Sequence, residues 1–376
     1  MTNVLTQVKV PTEALQDVVL RAAKGSTNID VIPLTLIMQI VCKDNVLYAT
    51  TTNNVNFLTT KMDLNQKYAG STTPVTVPDF NLVVYTKKFA DLIAKLTTDY
   101  VTLTIEDVKV IVEANGKYDI PLATDTDGSI PQITVPTVDT NGKTMHVELT
   151  EVQSILSLNK VCKADSKDRP ALFNYYFDEI GCLTTNAQKA CSNPVKLSDR
   201  PICVGPYIVD LLPTVTDPSY GLDISQNDTF IVLSSPNGTL IGKKESALDV
   251  SEFPAEPFRQ LISQPIDHTT EVNRSLMLEA VQRISLFTDK MDNNKMSLTF
   301  EKEGVTITAE NQGTESVSYL KPFTDDVAAK TLVIDGNHFI AELNACSAET
   351  LVIKFQEGVG LILEVGDIVF VMGVLD

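Results

Sequence analysis

The stretch VPTEALQDVVLRAAK, Val10 to Lys24, places a strand-like entry before an amphipathic helix. The same plan returns as VELTEVQSILSLNKV from Val147 and as VNRSLMLEAVQRISLF from Val272. These starts lie 137 and 125 residues apart, which divides the chain into three units of ordinary domain size.

Each unit then repeats the plan internally. TKKFADLIAKL from Thr86, GPYIVDLLPTV from Gly205 and GNHFIAELNAC from Gly336 each read as a short helix leading into paired strands. In the first, Phe89, Leu92, Ile93 and Leu96 form one apolar stripe, and the opposite face carries Lys87, Lys88, Asp91 and Lys95. The strands that follow alternate with period two. They run through Val101, Leu103 and Ile105, then Val108, Val110 and Val112, and in the last unit through Leu351, Ile353 and Phe355, then Leu361, Leu363 and Val365. Gln356 to Gly360 reads as the hairpin between the last two runs. The expected fold class is α+β: three repeated units, each with two helices packed on antiparallel sheets, covering 1–130, 140–255 and 265–376. Connectors rich in Gly, Pro and Thr or in Pro are expected at Asp125 to Asn141 and at Phe253 to His268.

At 376 residues, with 43% apolar and 21% charged residues and no tryptophan, the chain supports several aliphatic cores. The opening MTNVLTQVKVPTEALQ has no basic segment followed by an apolar one, and no later run approaches the roughly 18 apolar residues that cross a bilayer, so a cytoplasmic, membrane-free protein is expected. Cys42, Cys162, Cys182, Cys191, Cys203 and Cys346 show no paired spacing and read as buried reduced thiols. A net charge of −18 argues by itself against nucleic acid, but basic residues gathered on one face would escape that sum.

Motifs for chemistry are missing from the sequence. The only G-x-G, Gly358 to Gly360, has no helix to open and reads as a turn. His146, His268 and His338 fall in separate units without metal-ligand spacing, no serine sits in a nucleophile elbow, and none of the 48 acidic residues is singled out by a motif. The expectation is a protein that is not an enzyme and takes no metal or cofactor. A structural or assembly protein built of repeated α+β modules fits these facts as one class. An enzyme using two carboxylates is a further class, for which no pair stands out.

The ordered series of segments resembles the bacterial DNA sliding clamp, the beta subunit of the replicative DNA polymerase. The similarity is densest in the last third, in LMLEAVQRISLFTDKM from Leu276, MSLTFEKEGVTITAENQGTESVSYL from Met296, LVIDGNHFIAELNAC from Leu332 and DIVFVMGVLD from Asp367. SEFPAEPFRQLI from Ser251 is similar to the family's linker into its third domain, and LYATTTNNVNFLTT from Leu47 and CLTTNAQKACSNP from Cys182 are similar to its strand turns. The resemblance implies a processivity factor: a head-to-tail homodimer closing a ring around double-stranded DNA without sequence specificity. It also implies partners, a clamp loader and DNA polymerases that insert short apolar peptides into a pocket, and a protein at the nucleoid or, if phage-encoded, in the host cytoplasm.

Carried over onto this sequence, the pocket comprises Phe173, Thr185, Ala187, Gln188, Lys189, Pro254, Arg259, Leu261, Met291, Val371, Met372, Gly373 and Val374. The chain departs from the family at Ala187, Gln188 and Lys189, where bacterial clamps have Gly-His-Arg, and in its last five residues. Such drift suits a clamp encoded by a phage or mobile element. The resemblance further implies a dimer interface of Tyr118 and Ile120 from GKYDIPLA against Leu286 and Phe287. The helices' non-core faces supply Arg21, Lys24, Lys87, Lys88, Lys95, Lys160, Lys163, Arg274 and Arg283 as the expected DNA-facing set.

Overall fold

The computed structural model describes residues 4–27, 32–65, 75–125, 128–140, 142–264, 266, 268–309, 313–323, 329–356 and 360–375. One order of elements, strand, helix, four strands, helix, three strands, runs through it three times. The first pass is β1 (Val4–Pro11), α1 (Thr12–Ala23), β2 (Ile37–Lys43), β3 (Val46–Thr52), β4 (Phe57–Asp63), β5 (Phe80–Tyr85), α2 (Thr86–Ile93), β6 (Tyr100–Glu106), β7 (Lys109–Glu113) and β8 (Lys117–Pro121). The second is β9 (Thr144–Val147), α3 (Leu149–Leu158), a one-turn α4 (Pro170–Phe173), β10 (Tyr175–Phe177), β11 (Cys182–Thr185), β12 (Lys189–Asn193), β13 (Ile202–Val204), α5 (Pro206–Val215), β14 (Leu222–Gln226), β15 (Phe230–Ser235) and β16 (Gly238–Lys243). Two short helices follow, α6 (Ala247–Glu252) and α7 (Ala255–Ser263). The third is β17 (His268–Asn273), α8 (Arg274–Ile284), β18 (Lys295–Phe300), β19 (Gly304–Ala309), β20 (Gly313–Lys321), β21 (Lys330–Asp335), α9 (Gly336–Ala345), β22 (Thr350–Gln356), β23 (Gly360–Val365) and β24 (Ile368–Met372).

The residues form two compact units, 1–149 with 210–244 and 150–209 with 245–376. The first holds a four-stranded sheet ordered β1-β6-β7-β8 and an eight-stranded one ordered β5-β2-β3-β4-β16-β15-β14-β9. In the second, one twelve-stranded sheet runs β13-β10-β11-β12-β24-β23-β22-β17-β20-β19-β18-β21. All the strand pairs are antiparallel, and two have the same origin in the repeat: β16 lies on β4, with Ile241 opposite Phe57, and β24 lies on β12, with Met372 opposite Lys189.

The helices form where the stripes predict. In α2, Phe89, Ala90 and Ile93 are buried, and in α1, Ala14, Leu15, Val18, Val19 and Ala22 join them in one core with β6 and β7. In the second unit α8 and α9 cover a core containing Phe300, Phe339, Phe355 and Phe370, with the rings of Phe300 and Phe355 stacked at 4.1 Å. Side-chain caps fix where these two helices begin: Asn273 accepts from the Leu276 amide at 3.0 Å, and Asp335 accepts from the amides of Asn337 and His338 at 2.9 and 3.1 Å. All six cysteines are buried free thiols, and burial pushes Cys42 up to about 11 and Cys203 and Cys346 up to about 12.

Two readings of the sequence change. Val108 is exposed in the turn between β6 and β7, because the alternation continues by coincidence across that turn. Phe253 to His268 is mainly helical: Ser246 and Asp249 cap α6 reciprocally, and in α7 Pro254 and Pro257 occupy the N-cap and the first turn, where a missing N–H breaks no helical bond. In the expected hairpin, Gln356 pairs with Gly360 and residues 357–359 lie outside the described residues, as do 126, 127 and 141 of the first connector. From Gly128 to Thr140 that connector has neither helix nor strand, and its Ile133 is buried, with its amide donating to Gln39 Oε1 at 3.2 Å.

Candidate functional site: an apolar groove beside the β12–β24 pair

Strand alternation sets one wall of the groove. On β24, Phe370 and Met372 point into the helix-covered core and Val371 points to the other face. The turn from β11 to β12 adds the rim. Thr185 Oγ1 accepts from the Ala187 amide at 3.0 Å and donates to the Lys189 carbonyl at 2.8 Å, while Asn186 Oδ1 accepts from the amides of Gln188 and Lys189, both at 2.9 Å. This turn puts Ala187 in the left-handed region at φ 77°, unusual for a residue with a Cβ. The Gly373 amide donates to the Gln188 carbonyl at 2.8 Å and ties the end of the chain to the turn.

The opposite wall is helical. Pro254, Pro257, Phe258 and Leu261 recur at i, i+3, i+4 and i+7, so one face of α7 presents two prolines, a phenyl ring and an isobutyl group. Between the walls lies a cavity of ≈ 350 Å³, lined by these four with Thr185, Ala187, Gln188, Lys189, Val371 and Gly373. A mostly apolar concave surface with a few polar groups at its rim is suited to apolar side chains rather than to a charged metabolite.

Eight of the residues carried over as a pocket meet here, and five lie elsewhere. Arg259 is on the back of α7, paired with Asp178. Met372 is core, because its strand parity turns it inward. Phe173, at the end of α4, carries the Lys163 ammonium 4.5 Å from its ring centre. Met291 is 92% exposed in a 3-10 turn, and Val374 is exposed beyond the groove. Pro257 and Phe258 were missed, although the 254/257/258/261 spacing is legible in the sequence.

The basic set divides by what each side chain does. Lys24, Lys87, Lys88, Lys95 and Lys160 are exposed. Arg21, its side chain only 16% exposed, is bound to Asp17 and to backbone carbonyls. Lys163 donates to the Ala164 carbonyl, Arg274 to those of Leu343 and Ala348, and Arg283 is paired with Glu279 and Glu315.

Of the expected interface residues, Tyr118 and Ile120 lie on β8, which ends its sheet, with Ile120 buried. Leu286 and Phe287 are 80% and 47% exposed, in a 3-10 turn after α8. Phe287 lies against β20: a Cβ at Gly313 would come within 3.1 Å of its ring. Among the described residues β20 meets β17 through Tyr319 and Lys321 alone, which leaves that edge without a strand partner from Gly313 to Ser318. No described helix is long and apolar enough to cross a membrane.

These elements and their order define a sliding-clamp fold. The chain is similar to the DNA polymerase III beta subunit sliding clamp of Pseudomonas aeruginosa solved with griselimycin bound (TM-score 0.82, 13% identity, covering 98% of this chain and 99% of that one). It is likewise similar to the sliding clamp of Bacillus subtilis (TM-score 0.80, 14% identity, 98% and 99% covered) and to the DNA polymerase III beta chain of Streptococcus pneumoniae (TM-score 0.79, 12% identity, 100% of both). No family model matches the sequence, and no curated protein matches it. The likeness is one of fold, spread over the whole length of the chain.

Proposed function

We propose that this chain is a DNA sliding clamp: a non-enzymatic processivity factor of three repeated domains, about 1–130, 140–255 and 265–376, that closes as a head-to-tail homodimer around duplex DNA and tethers DNA polymerase and other replication or repair proteins. One observation carries the reading. In the repeat, β4 and β12 are equivalent strands and each receives the last strand of the following pass, β16 and β24. The equivalent acceptor in the third pass is β20, and the equivalent donor left over is β8 of the first. Among the described residues β8 has one unpaired edge and β20 is unpaired on one side from Gly313 to Ser318, and a second copy supplies the missing partner to each. Such a head-to-tail contact is heterologous, so it generates a closed ring when its rotation closes.

The repeat also gives the register. Ile241, three residues into β16, faces the first residue of β4, and Met372, four residues into β24, faces the first of β12. Gly313 of one subunit then faces Ile120 or Pro121 of the other. Leu286 and Phe287 flank that joint as its apolar anchors. Lys24, Lys87, Lys88, Lys95 and Lys160 supply weak, sequence-independent phosphate contacts, which sliding requires. The groove takes apolar peptides of polymerases and of the clamp loader, and the chemistry needs no cofactor. The protein works in the cytoplasm at the nucleoid, or in that of a host if a phage encodes it.

The test is topological. Loaded by its own clamp loader onto nicked circular DNA, the protein is expected to stay bound through gel filtration and to be lost when the circle is linearised. Equal retention on both forms overturns the reading. Equal loss from both with an active loader does the same.

A further inference from the structure

We propose that the ion pair between Arg259 and Asp178 is a latch that positions α7, so that Arg259 shapes the groove from behind without touching what binds in it. The inference rests on the groove being a peptide site, as proposed above.

Of the residues of α7 only Ala255 is buried, so the helix has little core of its own to hold it. Its front stripe, Pro257, Phe258 and Leu261, faces the groove, and of these three Phe258 alone also packs against the small cluster that holds Tyr176, Phe253 and Ala255. On the back, Arg259 reaches Asp178, whose side chain is 4% exposed against 22% for the arginine. Asp178 is itself fixed. Its other carboxylate oxygen accepts from the amides of Ile180 and Gly181 at 2.9 and 3.3 Å, in the turn between β10 and β11. The hydroxyl of Tyr176 also engages Asp178, and the Tyr176 ring stacks on Phe253 at 4.7 Å, just before α7 begins. The helix is thus pinned at its first residues by Phe253 and Ala255 and one turn on by Arg259. A charge-assisted bond to a buried carboxylate is strong, and its loss leaves Asp178 charged and incompletely paired.

Without the latch, α7 samples positions in which the wall is displaced, and apparent affinity falls by the fraction of time the wall is in place. The experiment compares the full-length wild type with R259A, R259Q and R259K in two measurements. One is native-state hydrogen exchange of the α7 amides against those of β12 and β24. The other is fluorescence anisotropy with a labelled decapeptide bearing adjacent Leu and Phe anchors. In R259A and R259Q the α7 amides are expected to exchange at least tenfold faster with β12 and β24 unchanged, and the peptide to bind about tenfold more weakly. R259K, which keeps the charge, is expected to recover most of both.

Unchanged α7 exchange in R259A overturns the latch. So does faster exchange with unchanged peptide affinity, or failure of R259K to improve on R259Q. If the wild type does not bind the peptide, the peptide reading of the groove fails, while the exchange measurement still decides whether Arg259 holds the helix.

Discussion

Arg21 Nη1 donates to the carbonyl of Asn237 at 2.8 Å, joining residues 216 positions apart within one compact unit. The same nitrogen donates to the Thr214 carbonyl at 2.9 Å, Nη2 donates to the Lys61 carbonyl at 3.1 Å, and Asp17 one turn back holds the guanidinium in place. One side chain thus ties together three backbone carbonyls, of which that of Asn237 also accepts from the Lys61 amide at 2.8 Å. Arg21→Ala is expected to destabilise this unit by about 2 kcal/mol, within the range for losing hydrogen bonds from a charged group, because the Asn237 carbonyl keeps its bond from the Lys61 amide. The check is denaturant unfolding followed by hydrogen exchange, with faster opening at Lys61 and Asn237. The salt dependence of DNA binding should change less than in a Lys87→Ala, Lys88→Ala double variant, whose side chains are exposed.

Glu342 on α9 is fully buried, and burial pushes its carboxyl up to about 8. Cys162 Sγ lies 3.8 Å from one oxygen, and the other has no hydrogen-bond partner. A raised carboxyl keeps its proton in the folded chain where the unfolded chain has lost it. The stability it contributes is therefore fully present below the usual value near 4.5 and is lost as pH rises to about 8. Glu342→Gln, which cannot titrate, should flatten the fall in thermal stability across that same interval, from roughly pH 5 to about pH 8. The neighbouring His338, held below its ordinary value first by burial and then by Lys189, acts in the opposite direction and at lower pH. An unchanged slope in the glutamine variant would place the titration elsewhere.

The repeat was legible because a helical stripe and a two-residue period survive wherever a face must be buried. Phe89 and Ile93, or Leu351 and Ile353, announce their own side. Short elements held by tertiary contacts left no such mark. α7 hides behind Pro254 and Pro257, which read as breakers until their place at the start of the helix is known, and Arg259 entered the pocket through the family resemblance, which carries over a position along the chain and not the side of the helix it falls on. Met372 could have been placed, since Phe370 and Met372 share a parity opposite to Val371. The pairing of β12 with β24 could not, because the two strands are far apart in the chain and nothing local specifies the match.

Ala187 stores strain at the groove. At φ 77° its Cβ meets the carbonyl, an arrangement that costs about 1–2 kcal/mol for an L-residue, against roughly 0.5–1 kcal/mol of extra unfolded-state entropy for glycine. Ala187→Gly is expected to stabilise the second unit by about 0.5–1 kcal/mol, and Ala187→Val to destabilise it by more than that. Melting temperatures of the two variants decide the matter. A glycine variant less stable than the wild type would mean that the methyl group's contacts in the groove outweigh the strain.

The open edges of β8 and β20 make the most direct prediction about assembly. In the register that the repeat implies, Asp119 of one subunit stands opposite Thr314 or Glu315 of the next, at positions that have no strand partner on that side among the described residues. Asp119→Cys combined with Thr314→Cys or with Glu315→Cys should form an intersubunit disulfide on mild oxidation. Two such bonds would close a circular dimer of about 82 kDa, twice the 41.1 kDa chain, and the native thiols, all buried, should add little background. Leu286→Ala with Phe287→Asp should instead give monomers by light scattering, because it removes the exposed apolar anchors and sets a charge beside the joint. A double variant that stays dimeric, or cysteine pairs that cross-link no faster than either cysteine alone, would rule out this edge as the closing contact.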